Sequence, residues 1–304
     1  MPPRPRILLG LIGFLGLAAV AAVILVTVAW TRTPAADDLP MRIGARETPA
    51  AQIAPVMEAA VVATEDERFY HHHGVDLIGV LRAVPYDLYH HSLRQGASTI
   101  TEQLAKLVYL HGNDHSFWRK LEGAVLAFKL ESHYSKREIL AAYLARAYFG
   151  HGAWGIRQAS ERYFGRAPSR LTLPQGSLLA GLLQAPSAYD PFVDPSAARG
   201  RQIDVIRSMV RNGSITPVQG VAALAVPLRL RGGARLAPIT DVRLERGSRL
   251  GWGTLFGALM LVLGLTLIVF ARRLRRGSAT GWRAIGLAGT IVGVLALAAV
   301  YPSL

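Results

Sequence analysis

The sequence predicts an all-α domain joined to one N-terminal and two C-terminal transmembrane helices. Three observations predict this. Through the middle of the chain apolar residues recur at helical spacing, and no run alternates with period two. Three long runs, Ile7–Trp30, Leu250–Ala271 and Ala284–Leu304, carry no charged residue. The 304 residues are 51% hydrophobic yet carry a formal net charge of +14, which suits apolar spans attached to a basic globular part.

Residues 1–6 form a short tail holding Arg4 and Arg6. The run 7–30 is about 36 Å long as a helix, enough to cross a hydrocarbon core of about 30 Å with some tilt. It exceeds the core of a signal peptide, so it reads as an uncleaved anchor with a cytoplasmic N-terminus. Residues 31–50 are rich in Pro, Ala and Asp and read as a linker. From 51 to 220 the segments "APVMEAAVVATEDERFY", "STITEQLAKLVYL", "FWRKLEGAVLAFKLESHY", "SKREILAAYLARAYF" and "LPQGSLLAGLLQA" read as helices. Turn-forming clusters, "HGND", "GRAPSR" and "APSAYDP", separate several of them. Residues 221–249 form a connector with Arg and Gly.

The runs 250–271 and 284–304 flank the loop 272–283, "RRLRRGSATGWR", whose five arginines place it in the cytoplasm. Three crossings then agree with one another, and residues 31–249 face the outer side of the inner membrane. Arg243, Arg246 and Arg249 lie on that nominally outer side, against the trend. A basic surface favours anionic partners, and export argues against nucleic acid. The absence of cysteine excludes disulfides, thiol nucleophiles and Cys-ligated metal.

Three stretches could carry chemistry. In "ATEDERFYHHHG", Glu65 and Asp66 are adjacent carboxylates, while Thr64 and Glu67 fit a capping box that would make the acids a helix start. His71, His72 and His73 point in different directions on a helix and make a poor metal cage. In "GASTITEQLAK", Thr99 and Glu102 also fit a capping box, and the small residues before the helix leave N–H groups for an anion. Ser98, Thr99 and Lys106 could add donors. In "FWRKLEGAVLAFKLE", Arg119 and Lys120 sit at a helix start, where the dipole disfavours cations. An anionic ligand accounts for them there, as does a solvated turn with Arg119 pairing Glu122.

In this order the segments resemble the family-51 glycosyltransferases, the peptidoglycan transglycosylases. "EDERFYHHHG" resembles the first motif through Glu65, Asp66, Phe69, His72 and Gly74. "GASTITEQLAK" resembles the second through Gly96, Ser98, Thr99, Gln103 and Lys106. "RKLEGAVLAFKLE" and "KREILAAYLARAYFGHGAWGI" resemble the third and fourth, and the likeness covers about residues 51–219. It implies a lysozyme-like domain against the outer membrane face, acting on lipid II and a growing glycan chain. The implied partners are the membrane and other cell-wall synthesis proteins. Glu65 and Asp66 would be catalytic, with Glu65 the general base of an inverting displacement. His72, Gly96, Ser98, Thr99, Gln103, Lys106, Arg119 and Lys120 would bind substrate. No cofactor is required, and Mg or Mn beside the pyrophosphate is compatible.

The sequence departs from the family pattern at several points. Gly123 stands where the third motif has a second glutamate; Glu122, one position earlier and about 100° round the helix, is the candidate second carboxylate, its long side chain reaching part of the way. Glu102 and Leu107 stand for Gln and Asn in the second motif, and Ala141 and Ala145 for Glu and Asn in the fourth. These changes leave open a noncatalytic relative that binds lipid II or a cell-wall partner.

Overall fold

A computed structural model of the chain describes residues 5–44, 48–79, 98–110 and 116–245. Gly96, the runs 250–271 and 284–304, the loop 272–283, residues 1–4 and part of the connector lie outside the described residues. The chain divides into two compact units, Met1–Val23 with Gly247–Leu304, and Ile24–Arg246.

Helix α1 runs Pro5–Arg32, with an unbroken row of described side chains from Gly16 onward. Among the described residues no helix is both long and apolar enough to cross a membrane. The second unit continues with α2 (Leu39–Ile43), α3 (Pro55–Glu65), α4 (Ile100–Val108), α5 (Phe117–His133) and α6 (Lys136–Arg146). It ends with α7 (Ile156–Phe164), α8 (Leu173–Leu182), α9 (Pro195–Arg211) and α10 (Pro217–Ala225).

The helix starts are written locally. Thr99 with Glu102, Ser135 with Glu138 and Thr216 with Gln219 form capping boxes at α4, α6 and α10. Ser116 and Asp194 cap α5 and α9. Thr64 and Glu67 do not form the box their spacing suggests. Thr64 lies in the last turn of α3, where its hydroxyl donates to Ala60 O at 2.7 Å. Glu65 and Asp66 therefore sit at a helix end rather than a helix start.

Two groups of helices meet in one core. α3 packs on α8 and α9, and α4 packs on α5 and α6. Met57, Leu104, Leu126, Leu130, Leu140, Leu144, Leu179 and Val205 are buried where the groups join. Each such side chain contributes about 1.5–3 kcal/mol of burial. The ends of α3 and α4 are thereby held together, and the acidic pair lies at that meeting point.

Two sequence expectations change. The fold is helical-dominated rather than wholly α: Leu228–Arg229 and Arg235–Leu236 pair as a two-residue antiparallel hairpin. That hairpin lies in the connector and covers Leu178 and Ala198 with Leu228, Leu230 and Leu236. The segment 31–50 is no free tether. Ala36, Leu39 and Ile43 are buried in the main core, because a Pro- and Asp-rich composition conceals three apolar contacts.

Candidate active site

The end of α3 delivers Glu65 and Asp66 in opposite senses. Asp66 leaves the helix in a non-helical conformation and turns inward, where it is buried. Both its oxygens lie 3.0 Å from His72 Nε2, and Oδ2 accepts the Ile100 N–H at 3.0 Å. A carboxylate only accepts, so His72 carries its proton on Nε2. His72 Nδ1 is buried without a partner among the described residues.

Thr99 continues the stitching. Its hydroxyl donates to Gly74 O at 2.5 Å and accepts the Glu102 N–H at 3.1 Å. Gly74 has φ of +74°, and a Cβ there would stand 2.9 Å from the α5 backbone at Ala127. Only glycine fits this close approach. Asp66, His72 and Thr99 thus bind the first-motif loop to the start of α4. Asp66 and His72 are both buried, each 7% exposed.

Glu65 is partly buried at the same junction. Its Oε2 accepts from Gln103 Nε2 at 3.0 Å, and Gln103 Oε1 accepts from Tyr143 O–H at 2.9 Å. The phenol fixes the amide so that its NH2 end faces the carboxylate. Burial raises the Glu65 pKa above the ordinary carboxylate range. The Gln103 hydrogen bond and the Arg201 charge oppose that rise, and the Asp66 charge adds to it. Tyr143 is raised well above the usual phenol range by burial and by the Glu65 charge, so it remains a donor.

The cations occupy α4 and α5. Lys106 is exposed and donates to Ser98 Oγ at 3.2 Å. Arg119 and Lys120 lie in the first turn of α5, which contains no acid, and the Arg119 N–H is capped by Ser116. Glu102 is buried under Lys106 and Lys120. Burial raises its pKa, while its bonds to Thr99 and these two charges pull it down. Gly123 faces this cluster: a Cβ there would meet Lys106 Cε at 3.9 Å and Leu110 Cδ1 at 3.8 Å, both ordinary contacts. Glu122 makes no hydrogen bond or ion pair among the described residues.

The structure thus gathers Glu65, Asp66, His72, Ser98, Thr99, Gln103 and Lys106 at one junction, with Arg119 and Lys120 at the start of the adjoining helix; Gly96 lies outside the described residues. Sequence reasoning missed Tyr143 and Arg201. Tyr143 sits inside the fourth-motif segment, where a tyrosine on a buried helix face is a signal, because its hydroxyl needs a partner. Arg201 is one of several arginines on α9 and carries no local mark. Its Nε is buried without a partner among the described residues, and its charge acts on Glu65. His71 and His73 are exposed on either side of buried His72.

Comparison with known proteins places the chain among relatives. A family model described as transglycosylase matches residues 42–210. A Cupriavidus necator protein named for an inferred transglycosylase activity is 44% identical over 183 residues, covering 60% of this chain and 78% of that protein. Penicillin-binding protein 1A of Neisseria flavescens is 44% identical over 169 residues, 56% of this chain and 21% of that one, so the chain spans about a fifth of its length. A crystal structure of penicillin-binding protein 1A from Haemophilus influenzae is 21% identical over 54% of this chain and 19% of that one, with a TM-score of 0.29. On the family match and the Cupriavidus relative, the chain belongs to the family-51 transglycosylases, the glycosyltransferases of peptidoglycan synthesis.

Proposed function

We propose that the chain polymerises lipid II into glycan strands, with Glu65 as general base. The Tyr143–Gln103–Glu65 chain supports this reading best. It aims one carboxylate oxygen, leaves the other for a substrate hydroxyl, and sits where burial makes the carboxylate a stronger base. Glu65 takes the proton from the 4-hydroxyl of the acceptor GlcNAc. That oxygen attacks C1 of the donor MurNAc from the face opposite the leaving group. The C1–O bond breaks with its electron pair passing to the undecaprenyl pyrophosphate, and the configuration inverts.

Pyrophosphate needs cations more than a proton donor. Lys106, Arg119 and Lys120 supply them, and Arg201 holds charge near the base. Gln103 acts by orienting Glu65, and Asp66, His72 and Thr99 hold the scaffold. The described residues bring together no three metal-ligating side chains. A Mg or Mn ion enters this reading only as a companion of the pyrophosphate oxygens.

Membrane attachment belongs to the same proposal. The runs 7–30, 250–271 and 284–304 span the inner membrane and leave the catalytic domain on its outer face. The exposure of Ile24, Val26 and Trp30 along α1 supports a lipid-facing helix. Cell-wall synthesis proteins are the expected partners.

A second reading, noncatalytic binding of lipid II, draws support from Gly123, where a carboxylate is absent beside Lys106. One assay separates the two. The full chain in vesicles is given lipid II, with and without Mg or Mn. The polymerase reading expects glycan polymer from wild type and at least about 100-fold less from Glu65→Gln. Lipid II binding without polymer from folded wild type selects the second reading.

A further inference from the structure

Lys129 lies on α5, near the helix end remote from Arg119 and Lys120, and is buried at 6% exposure. Among the described residues no carboxylate pairs with it. Its ammonium instead donates among Trp30 O at 2.8 Å, Thr33 O at 2.8 Å, Thr33 Oγ1 at 3.0 Å and Pro34 O at 3.1 Å. It also stands 4.8 Å from the centre of the Trp30 ring. Trp30 and Thr33 bracket the end of α1, so the lysine caps the negative end of that helix. Burial disfavours the charged ammonium and lowers the Lys129 pKa. An apolar side chain would fill the same space without that cost. The lysine adds directional bonds between two elements far apart in sequence.

A second contact lies on the same face of α5. Arg32, the last residue of α1, places its guanidinium 5.5 Å from the centre of the Trp118 ring. Trp118 and Lys129 are eleven positions apart, about three turns and 16 Å. Trp118 immediately precedes Arg119 and Lys120. Just beyond α5, the Tyr134 hydroxyl donates to Asp37 O at 2.5 Å and accepts the Leu39 N–H at 3.2 Å. The end of α1 and the segment after it therefore meet α5 and the residue just beyond it at three points.

We propose that Lys129 is a positioning residue that fixes the exit of α1 against α5, so that the cations in the first turn of α5 meet a membrane-bound pyrophosphate at a set height. The inference rests on the reading of the chain as a membrane-anchored lipid II polymerase. A pyrophosphate carried on a polyprenyl chain cannot leave the headgroup layer. The cations must be brought to it, and their height depends on how firmly α5 is joined to the anchor.

The test uses Lys129→Met in the full chain, which keeps the stem and removes the donors. The chain has no cysteine, so Thr31→Cys with His133→Cys gives a single spin-labelled pair, one label at the end of α1 and one at the end of α5. In phosphatidylglycerol–phosphatidylethanolamine vesicles the parent pair should give a narrow distance distribution, and Lys129→Met should broaden it. Without labels, Lys129→Met should raise KM for lipid II about 5- to 10-fold in vesicles with kcat within twofold. In detergent micelles, where no bilayer sets a height, its KM should match wild type. An unchanged label distribution overturns the proposal. So does an equal KM defect in vesicles and micelles, which would mark a purely structural cap. If wild type makes no polymer, the polymerase reading falls, while the label distances still decide whether Lys129 locks α1 to α5.

Discussion

Glu65 Oε2 and Gln103 Nε2 lie 3.0 Å apart, and the donating end of that amide is chosen from behind by Tyr143. The bond stabilises the charged carboxylate against the burial that disfavours it. Gln103→Leu removes this help, so the Glu65 pKa rises further and the acid limb of the pH–rate profile moves to higher pH. Polymerisation should fall about 10-fold or more near pH 6 and less near pH 8, measured on lipid II in vesicles. A uniform loss at every pH would mean that Gln103 does not act through Glu65.

The same burial makes Glu65 a liability for stability. Its pKa is higher in the folded chain than in the unfolded one. Its contribution is therefore present below the ordinary carboxylate range and lost as pH rises through the elevated value. Glu65→Gln should abolish polymerisation yet raise Tm at pH 7.5, by about 2–4 °C for each kcal/mol relieved. The gap should close as pH falls towards 4. Calorimetry at the two pH values checks the sign, and an inactive variant that is also less stable at pH 7.5 would contradict it.

Asp66 is expected to behave oppositely. Its oxygens are engaged by His72 and the Ile100 N–H, so Asp66→Asn breaks a buried cluster. A loss of about 1–3 kcal/mol of stability follows. At temperatures where the variant remains folded, its polymerisation rate should exceed that of Glu65→Gln at least 10-fold. Paired denaturation and rate measurements test this, and equal rates in the two variants would restore Asp66 to a chemical role.

Gly123 is not required by packing, since a Cβ there meets only ordinary contacts. Gly123→Ala should stabilise the chain by about 0.5–1 kcal/mol, the helix-propensity difference. Gly123→Glu places a carboxylate next to Lys106 and should raise the polymerisation rate at least severalfold. A rate equal to that of Gly123→Ala would show that the absent carboxylate is irrelevant here.

What could be read from the sequence was largely what local chemistry writes. Thr99 with Glu102 announced the start of α4, and the apolar spacing of α5 and α6 announced helices that the structure contains. The identical Thr–x–x–Glu spacing at Thr64 misled, because buried Met57, Ala60 and Val61 carry α3 through that position and its hydroxyl turns back to Ala60. Glu65, Gln103 and Lys106 were singled out through their motifs, and the structure brings Glu65 and Gln103 within hydrogen-bond distance. The bond that joins Gln103 to Tyr143 spans 40 positions and leaves no periodic trace. Arg201 and Lys129 were missed for the same reason, since the groups they act on lie on distant segments. The stretch 31–50 looked like a tether because Pro and Asp dominate it, while Lys129 reaches it from 96 positions away at Thr33.

The threonine that bridges Gly74 and the start of α4 has a mechanical consequence. With Asp66 it ties the end of α3 to the start of α4, so on the proposed reading the spacing between base and cations should be set when the chain folds and should not change when substrate binds. A transition-state mimic should therefore find its grip ready-made at this corner. Whatever accommodation a bulky sugar donor demands has to come from whole helices shifting about that tie, and not from individual side chains swinging into line.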